Sequence, residues 1–245
     1  MIYLDDLKYF LDQFFAIHRF TEDSSGVYRR SNRPIRRFGL ALEPWPQLTE
    51  WAIACRIDAL FLHRPWKLKP EQLPADVGVV AYHLAFDERL TLSFNPRLAE
   101  VLNISELEVL GEKAGRPIGM LGNIPAQSFA SYSFYLDEVF GGQDEVHACE
   151  QSEVKRVAVV GAMNEALVRE AKARGADVYI TGQFRQPARQ AVKETGIGVI
   201  VVGHRRSEEW GLRALAGVVR ERWSSLEVVL PSCNSGRDVP PERLH

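Results

Sequence analysis

Three histidines close three apolar runs: His63 ends the run in "DALFLHRPW", His83 the one in "VGVVAYHLAFD" and His204 the one in "VIVVGHRRSEEW". Two of them are followed four residues later by a carboxylate, Asp87 after His83 and Glu208 after His204. Imidazole nitrogen and carboxylate oxygen are donors that borderline divalent metals such as zinc, manganese and iron accept. His63, Asp87, His204 and Glu208 therefore form a candidate ligand set, able to hold one cation or, with a bridging carboxylate, two. Each residue also has an ordinary reading. His63 and Asp87 suit loop and turn positions, His204 suits a turn after Gly203, and Glu208 suits a helix N-terminus with Ser207 as its N-cap. The metal reading gains from a shared location, because ligands of open α/β sheets collect beyond the carboxyl ends of parallel strands. His18, His147 and His245 sit in polar or helical surroundings and read as surface residues.

The elements that must carry these residues alternate along the chain. Leu4, Leu7, Phe10, Leu11, Phe14 and Phe15 recur at helical spacing and predict an amphipathic first helix. The polar stretch "TEDSSGVYRRSNRP" predicts a loop ending at Pro34. A strand "IRRFGLALE" follows, then a helix in "PWPQLTEWAIACR" with Pro46 near its first position, the strands ending at His63 and His83, and a helix around "PRLAEVLN". Strand, helix, strand in this order implies parallel pairing.

The second half repeats the plan. "VKRVAVVG" and "ADVYITG" read as strands, and two helices are stopped by Gly175 and Gly196 before the strand "IGVIVVGH". Overlaying "IRRFGLAL" on "VKRVAVVG" and "IDALFLH" on "ADVYITG" uses one constant offset, which is the mark of an internal duplication. The expected architecture is α/β: two similar halves, each a mainly parallel sheet flanked by helices. Residues 1–112 form the first half, 113–150 a connector with a hairpin and an aromatic helix, 151–231 the second half, and 232–245 a flexible tail.

Composition narrows the function classes. The 245 residues are 46% apolar, ordinary for a globular core, and the net charge of −2 gives no bulk reason to expect nucleic acid or membrane as a partner. No apolar run approaches the length needed to span a bilayer, and the acidic start does not suit a signal peptide, so a cytoplasmic location is expected. Cys55, Cys149 and Cys233 are odd in number and far apart, which suggests neither a disulfide framework nor a zinc ribbon. "VAVVGAMNEAL" has only Gly161 where a dinucleotide fingerprint needs three spaced glycines, and no Walker lysine follows.

Taken together, "FLHRP", "HLAFD", "GADVYITG" and "GHRRSEEWGLRAL" resemble the NIF-three-like (NGG-interacting factor three) family, also known as GTP cyclohydrolase I type 2. The resemblance runs from the first helix through "LRALAGVVRERW". It implies two similar α/β halves around a dinuclear metal site, with subunits assembled into a toroidal homohexamer. Carried over, the ligands fall on His63, Asp87, His204 and Glu208, and His83 takes an outer-shell or catalytic role, with Glu208 also catalytic. Departures accompany the match: the family pattern has two adjacent histidines where this chain has His63-Arg64, Arg205 stands where relatives often carry His or Tyr, and the stretch after Asp87 reads "TLSFN", keeping only Asn95. Arginine has no lone pair to give a metal. Arg64 and Arg205 would instead repel a second cation and attract phosphate or carboxylate, so one or two ions per subunit are expected.

Three functions are open at this point. The first is a metal-dependent hydrolase of a nucleotide or phosphorylated small molecule, with Arg64 and Arg205 holding the anion and His83 moving protons. The second is a non-enzymatic metal-binding or scaffold ring with a partly lost site. A nucleic-acid- or protein-binding assembly is the third, and its support is the basic cluster Arg29, Arg30, Arg33, Arg36 and Arg37.

Overall fold

Continuous apolar runs such as Ala59–Leu62 and Gly78–Ala81 have no polar face to offer water, and every residue of both is buried, as in parallel strands covered on two sides. The computed structural model describes residues 1–20, 23, 25–149 and 151–231, so that the tail, with Cys233 and His245, lies outside the described residues. In chain order the elements are α1 (Leu4–Phe14), β1 (Gly26–Arg29), β2 (Arg37–Ala41), α2 (Leu48–Ala54), β3 (Ala59–Leu62), β4 (Gly78–Ala81), α3 (Leu84–Leu90), α4 (Pro96–Val101), β5 (Ser105–Val109), β6 (Glu112–Lys113) and β7 (Arg116–Pro117). They continue with β8 (Gly119–Gln127), α5 (Phe129–Phe140), β9 (Glu145–His147), β10 (Val154–Val160), α6 (Glu165–Ala173), β11 (Val178–Thr181), α7 (Arg189–Thr195), β12 (Gly198–Val201), α8 (His204–Arg222) and β13 (Glu227–Val229).

Two larger sheets result. The first has the order β1-β4-β3-β2-β13 and the second β5-β8-β10-β11-β12-β9, with β6 and β7 as a separate hairpin. In the first, β2, β3 and β4 are parallel and β1 runs antiparallel along β4. In the second, β10, β11 and β12 are parallel and β9 runs antiparallel along β12. The chain divides into two compact units, Met1–Ala85 with the segment from Leu215 onward, and Phe86–Ala214. Stretches assigned from sequence to the first half and to the connector thus supply β5, β8 and β9 to the second sheet, and β13 pairs with β2 of the first.

The duplication is visible in individual hydrogen bonds. Asp58 Oδ2 accepts from the backbone N–H groups of Arg36 and Arg37, and Asp177 Oδ2 accepts from those of Lys155 and Arg156, the equivalent positions one repeat later. The backbone follows suit: Asp58 N donates to Arg37 O and Asp177 N to Arg156 O. A turn aspartate that ties two strand starts together is thus part of the repeated unit.

Three expectations need correction. The stretch read as a loop up to Pro34 contains β1, which pairs with β4. Asp87 is no turn residue: it lies in α3, a helix whose first N–H, that of Leu84, is taken by the side chain of the distant Asp23 at 3.1 Å rather than by a local cap. Ser207 is no N-cap, because α8 already begins at His204; its hydroxyl donates back to His204 O at 2.7 Å. The C-terminal stop at Gly196 is as expected, with φ of 62° at the helix end.

Candidate functional site

His63 follows β3 directly and is fully buried. Parallel pairing holds its backbone past the strand end, with His63 N donating to Ala41 O and Arg64 N to Leu42 O. The ring is fixed as well: Nδ1 lies 3.2 Å from Tyr82 O. A carbonyl oxygen can only accept, so Nδ1 carries the proton and Nε2 the lone pair, the tautomer a metal-binding imidazole needs.

His83 stands two residues beyond β4, and Asp87 lies four residues later in α3. One donor atom from each of His63, His83 and Asp87 lies within 4.8 Å of the others. Donors bound to one ion at about 2.1 Å can be at most about 4.2 Å apart, so small side-chain adjustments would close this group on a single divalent cation. Two imidazoles and a carboxylate also match the donor chemistry of zinc, manganese or iron. The histidine rings lie 4.8 Å apart, and both line a cavity of about 220 Å³ with Asp23, Pro65, Trp66, Ala81 and Tyr82.

Asp23, Trp66 and Tyr82 among those lining residues escaped sequence reasoning. Asp23 sits in a polar stretch where an acid carries no signal, yet its carboxylate accepts from both Leu84 N and Ser25 Oγ and thereby seats the start of α3. Tyr82 reads as one more apolar strand residue. Its hydroxyl donates to Asp12 Oδ1 at 2.7 Å, and burial first, then this bond, pushes its pKa well above the ordinary tyrosine value.

His204 and Glu208 open α8 one turn apart on one face, with His204 Nε2 3.0 Å from Glu208 Oε1. Glu208 is buried while the His204 side chain is 68% exposed, so the pair runs from the interior to the rim. This rim belongs to a second cavity of about 500 Å³ lined by Asp144, Gly182, Gln183, Arg185, His204 and Arg205. The helix start depends on backbone freedom: Gly203 adopts φ of 91°, and a Cβ at Gly182 would sit 3.2 Å from His204 Cα. Gly203→Ala is therefore expected to lower unfolding stability by about 1–3 kcal/mol in urea titration, since it also drives a Cβ against Arg206 and Asp144.

The two candidate anion holders already face carboxylates. Arg64 Nε is 3.4 Å from Glu43 Oε2, and Arg205 Nε is 2.9 Å from Glu209 Oε1. Asn95 is buried, and its side chain accepts from Leu98 N as the N-cap of α4. Much of the basic cluster is likewise engaged within the fold: Arg29 donates to Val77 O and Pro74 O, Arg33 pairs with Asp58 and Asp76, and Arg37 pairs with Glu227. His147 is partly exposed, with Nε2 2.7 Å from Glu145 Oε1. Among the described residues, no helix is long and apolar enough to cross a membrane.

A family profile described as Duf34/NIF3 (NGG1p interacting factor 3) matches residues 2–235. A Deinococcus radiodurans protein named GTP cyclohydrolase 1 type 2 homolog is 24% identical over 234 residues, covering 89% of each chain. Its namesake from Pyrococcus horikoshii is 26% identical over 250 residues, covering 89% of this chain and 94% of its own. Among solved structures, one from Thermus thermophilus superposes with a TM-score of 0.75 at 23% identity, covering 96% of this chain and all of the other.

Proposed function

From the premise that this chain belongs to the Duf34/NIF3 (NGG1p interacting factor 3) family, we propose that it is a metal-dependent hydrolase, GTP cyclohydrolase I type 2-like, acting on a nucleotide or phosphorylated small molecule. The observation that carries this reading is the convergence of His63, His83 and Asp87 within 4.8 Å, with the His63 tautomer set by Tyr82. His63 and Asp87 would hold the ion with His83 within ligand reach of both, and the proposal adds His204 and Glu208 to the ligand set. Bound there, a divalent cation supplies Lewis acidity toward a substrate oxygen and lowers the pKa of water.

The chain's own groups supply the rest. Glu208, buried and paired with His204, and His83, at the cavity wall, are the groups placed to take up and return protons. Arg64 and Arg205 are always charged and carry five guanidinium N–H donors each, and in this reading they receive the anionic group of the substrate. A self-assembled ring of six copies, in the cytoplasm, is part of the same proposal.

The second reading, a non-enzymatic metal-binding or scaffold ring, is favoured by Arg64, which stands where a second adjacent histidine would complete a two-ion site. Elemental analysis of the tag-free protein beside Arg64→His tests both. About one ion per subunit in the parent and two in the variant is the expected result. No metal in the parent, even after incubation with zinc, manganese or iron, would sink the hydrolase and leave the scaffold.

A further inference from the structure

All five tryptophans lie among the described residues, and four are packed. Trp45 and Trp51 pack against each other with tilted rings 5.3 Å apart, Trp223 meets Phe10 edge-on, and Trp210 is buried in the core of the second unit. Trp66 is the exception at 62% exposed. An indole offers one of the largest apolar surfaces of any side chain, and folding gains nothing from leaving it in water.

Its location is not that of a stray surface residue. Trp66 lines the 220 Å³ cavity whose wall includes His63 and His83, and its ring contacts His83 nearly at right angles with centroids 5.0 Å apart. The backbone that carries it is held on both sides. Arg64 N donates to Leu42 O, Pro65 is buried with its own φ fixed by the ring, and Pro65 O accepts from Leu68 N to close the turn. A rigid turn thus presents a large, flat, polarisable ring at the mouth of an otherwise polar cavity.

We propose that Trp66 is a stacking platform for a planar heteroaromatic ring, the base of a nucleotide, which it holds while the polar end of the same molecule reaches the His63, His83 and Asp87 group. This rests on the hydrolase reading and gives that site its substrate class. Stacking accepts any base because each has a π-face, and larger purine faces stack more strongly than pyrimidines. The platform would thus select for the presence of a base and leave its identity to other contacts.

The test is calorimetric titration of the wild-type protein, Trp66→Ala and Trp66→Phe with adenosine 5′-monophosphate, guanosine 5′-monophosphate, uridine 5′-monophosphate and, as a probe without a base, ribose 5-phosphate. Metal content and solution mass are measured on the same samples. Trp66→Ala is expected to bind the purine nucleotides about tenfold more weakly or worse, Trp66→Phe within about threefold of wild type, and ribose 5-phosphate equally in all three. The proposal is overturned if the wild type binds no nucleotide at millimolar concentration, if it binds ribose 5-phosphate as tightly as the nucleotides, or if Trp66→Ala leaves nucleotide affinity unchanged. A change of solution mass in Trp66→Ala with unchanged affinity assigns Trp66 to a contact between copies and overturns the proposal as well. Absence of metal from a wild type that still binds nucleotides through Trp66 would count against the hydrolase alone, so the two failures are distinguishable.

Discussion

Replacing His63 with alanine is expected to remove both the bound divalent ion and the stabilisation it brings. An ion that binds only the folded chain contributes RT ln(1 + [L]/Kd), about 2.7 kcal/mol at a hundredfold excess over Kd, which for a chain of this size raises Tm by about 5–10 °C. In the wild type, zinc, manganese or iron should produce that rise in differential scanning fluorimetry. In His63→Ala the rise should vanish. The variant has a second, metal-independent defect, because His63 is fully buried and its loss leaves Tyr82 O without the ring N–H, at a cost of about 1–3 kcal/mol. Comparing each protein with and without metal separates the two effects. Asp87→Ala is the cleaner partner experiment, since Asp87 is only partly buried, and it should abolish the metal-dependent rise with a smaller loss of baseline stability. An undiminished rise in both variants would mean that the ion binds elsewhere, and the candidate centre would fall.

The parts of this fold that were legible in sequence are those written in local pattern. The apolar runs around β3, β4, β11 and β12, the Gly196 stop and the offset between the halves required only neighbouring residues, and histidines at strand ends could be found the same way. What was hidden depends on partners far along the chain. No residue adjacent to Leu84 announces α3, because its cap is the side chain of Asp23. β8, with the sequence GMLGNIPAQ, carries two glycines and a proline that argue against a strand, yet it pairs along β10 through most of its length. The grouping of His83 with His63 and Asp87 was hidden for a similar reason: adjacent strands β3 and β4 bring the two histidines side by side, and α3 carries Asp87 round to them. Trp66 and Tyr82 carried no signal at all, since an exposed indole and a buried hydroxyl look alike in a string of letters.

The repeated aspartates supply the second large effect, and their inequality makes it decisive. Asp58 is 7% exposed, accepts two backbone hydrogen bonds of 2.9 Å and pairs with Arg33 at 2.7 Å. Asp177 makes the equivalent backbone bonds at 2.8 and 3.0 Å from a more exposed position. Hydrogen bonds to a charged group contribute about 1.5–3 kcal/mol, and they are worth more where the accepting carboxylate is shielded from water, as Asp58 is and Asp177 is not. Asp58→Ala is therefore expected to cost about 3–4 kcal/mol and Asp177→Ala about 2 kcal/mol in urea unfolding, with hydrogen exchange rising at Arg36 and Arg37 in the first and at Lys155 and Arg156 in the second. Equal costs would show that the repeat is kept in geometry alone and that burial adds nothing. The consequence reaches the candidate centre. The Asp58 side chain accepts from Arg36 N and Arg37 N and so pins the start of β2 beside that of β3, a tie that alanine removes, whereas the backbone bonds of residue 58 to Arg37 O and Gly78 N remain. β3 and β4 are only four residues long, so the register set at one end determines where His63 and His83 emerge at the other. Asp58→Ala should accordingly weaken metal binding without touching a ligand, whereas a variant that lost stability but held the ion as tightly as wild type would show that the far strand ends are fixed by their own contacts.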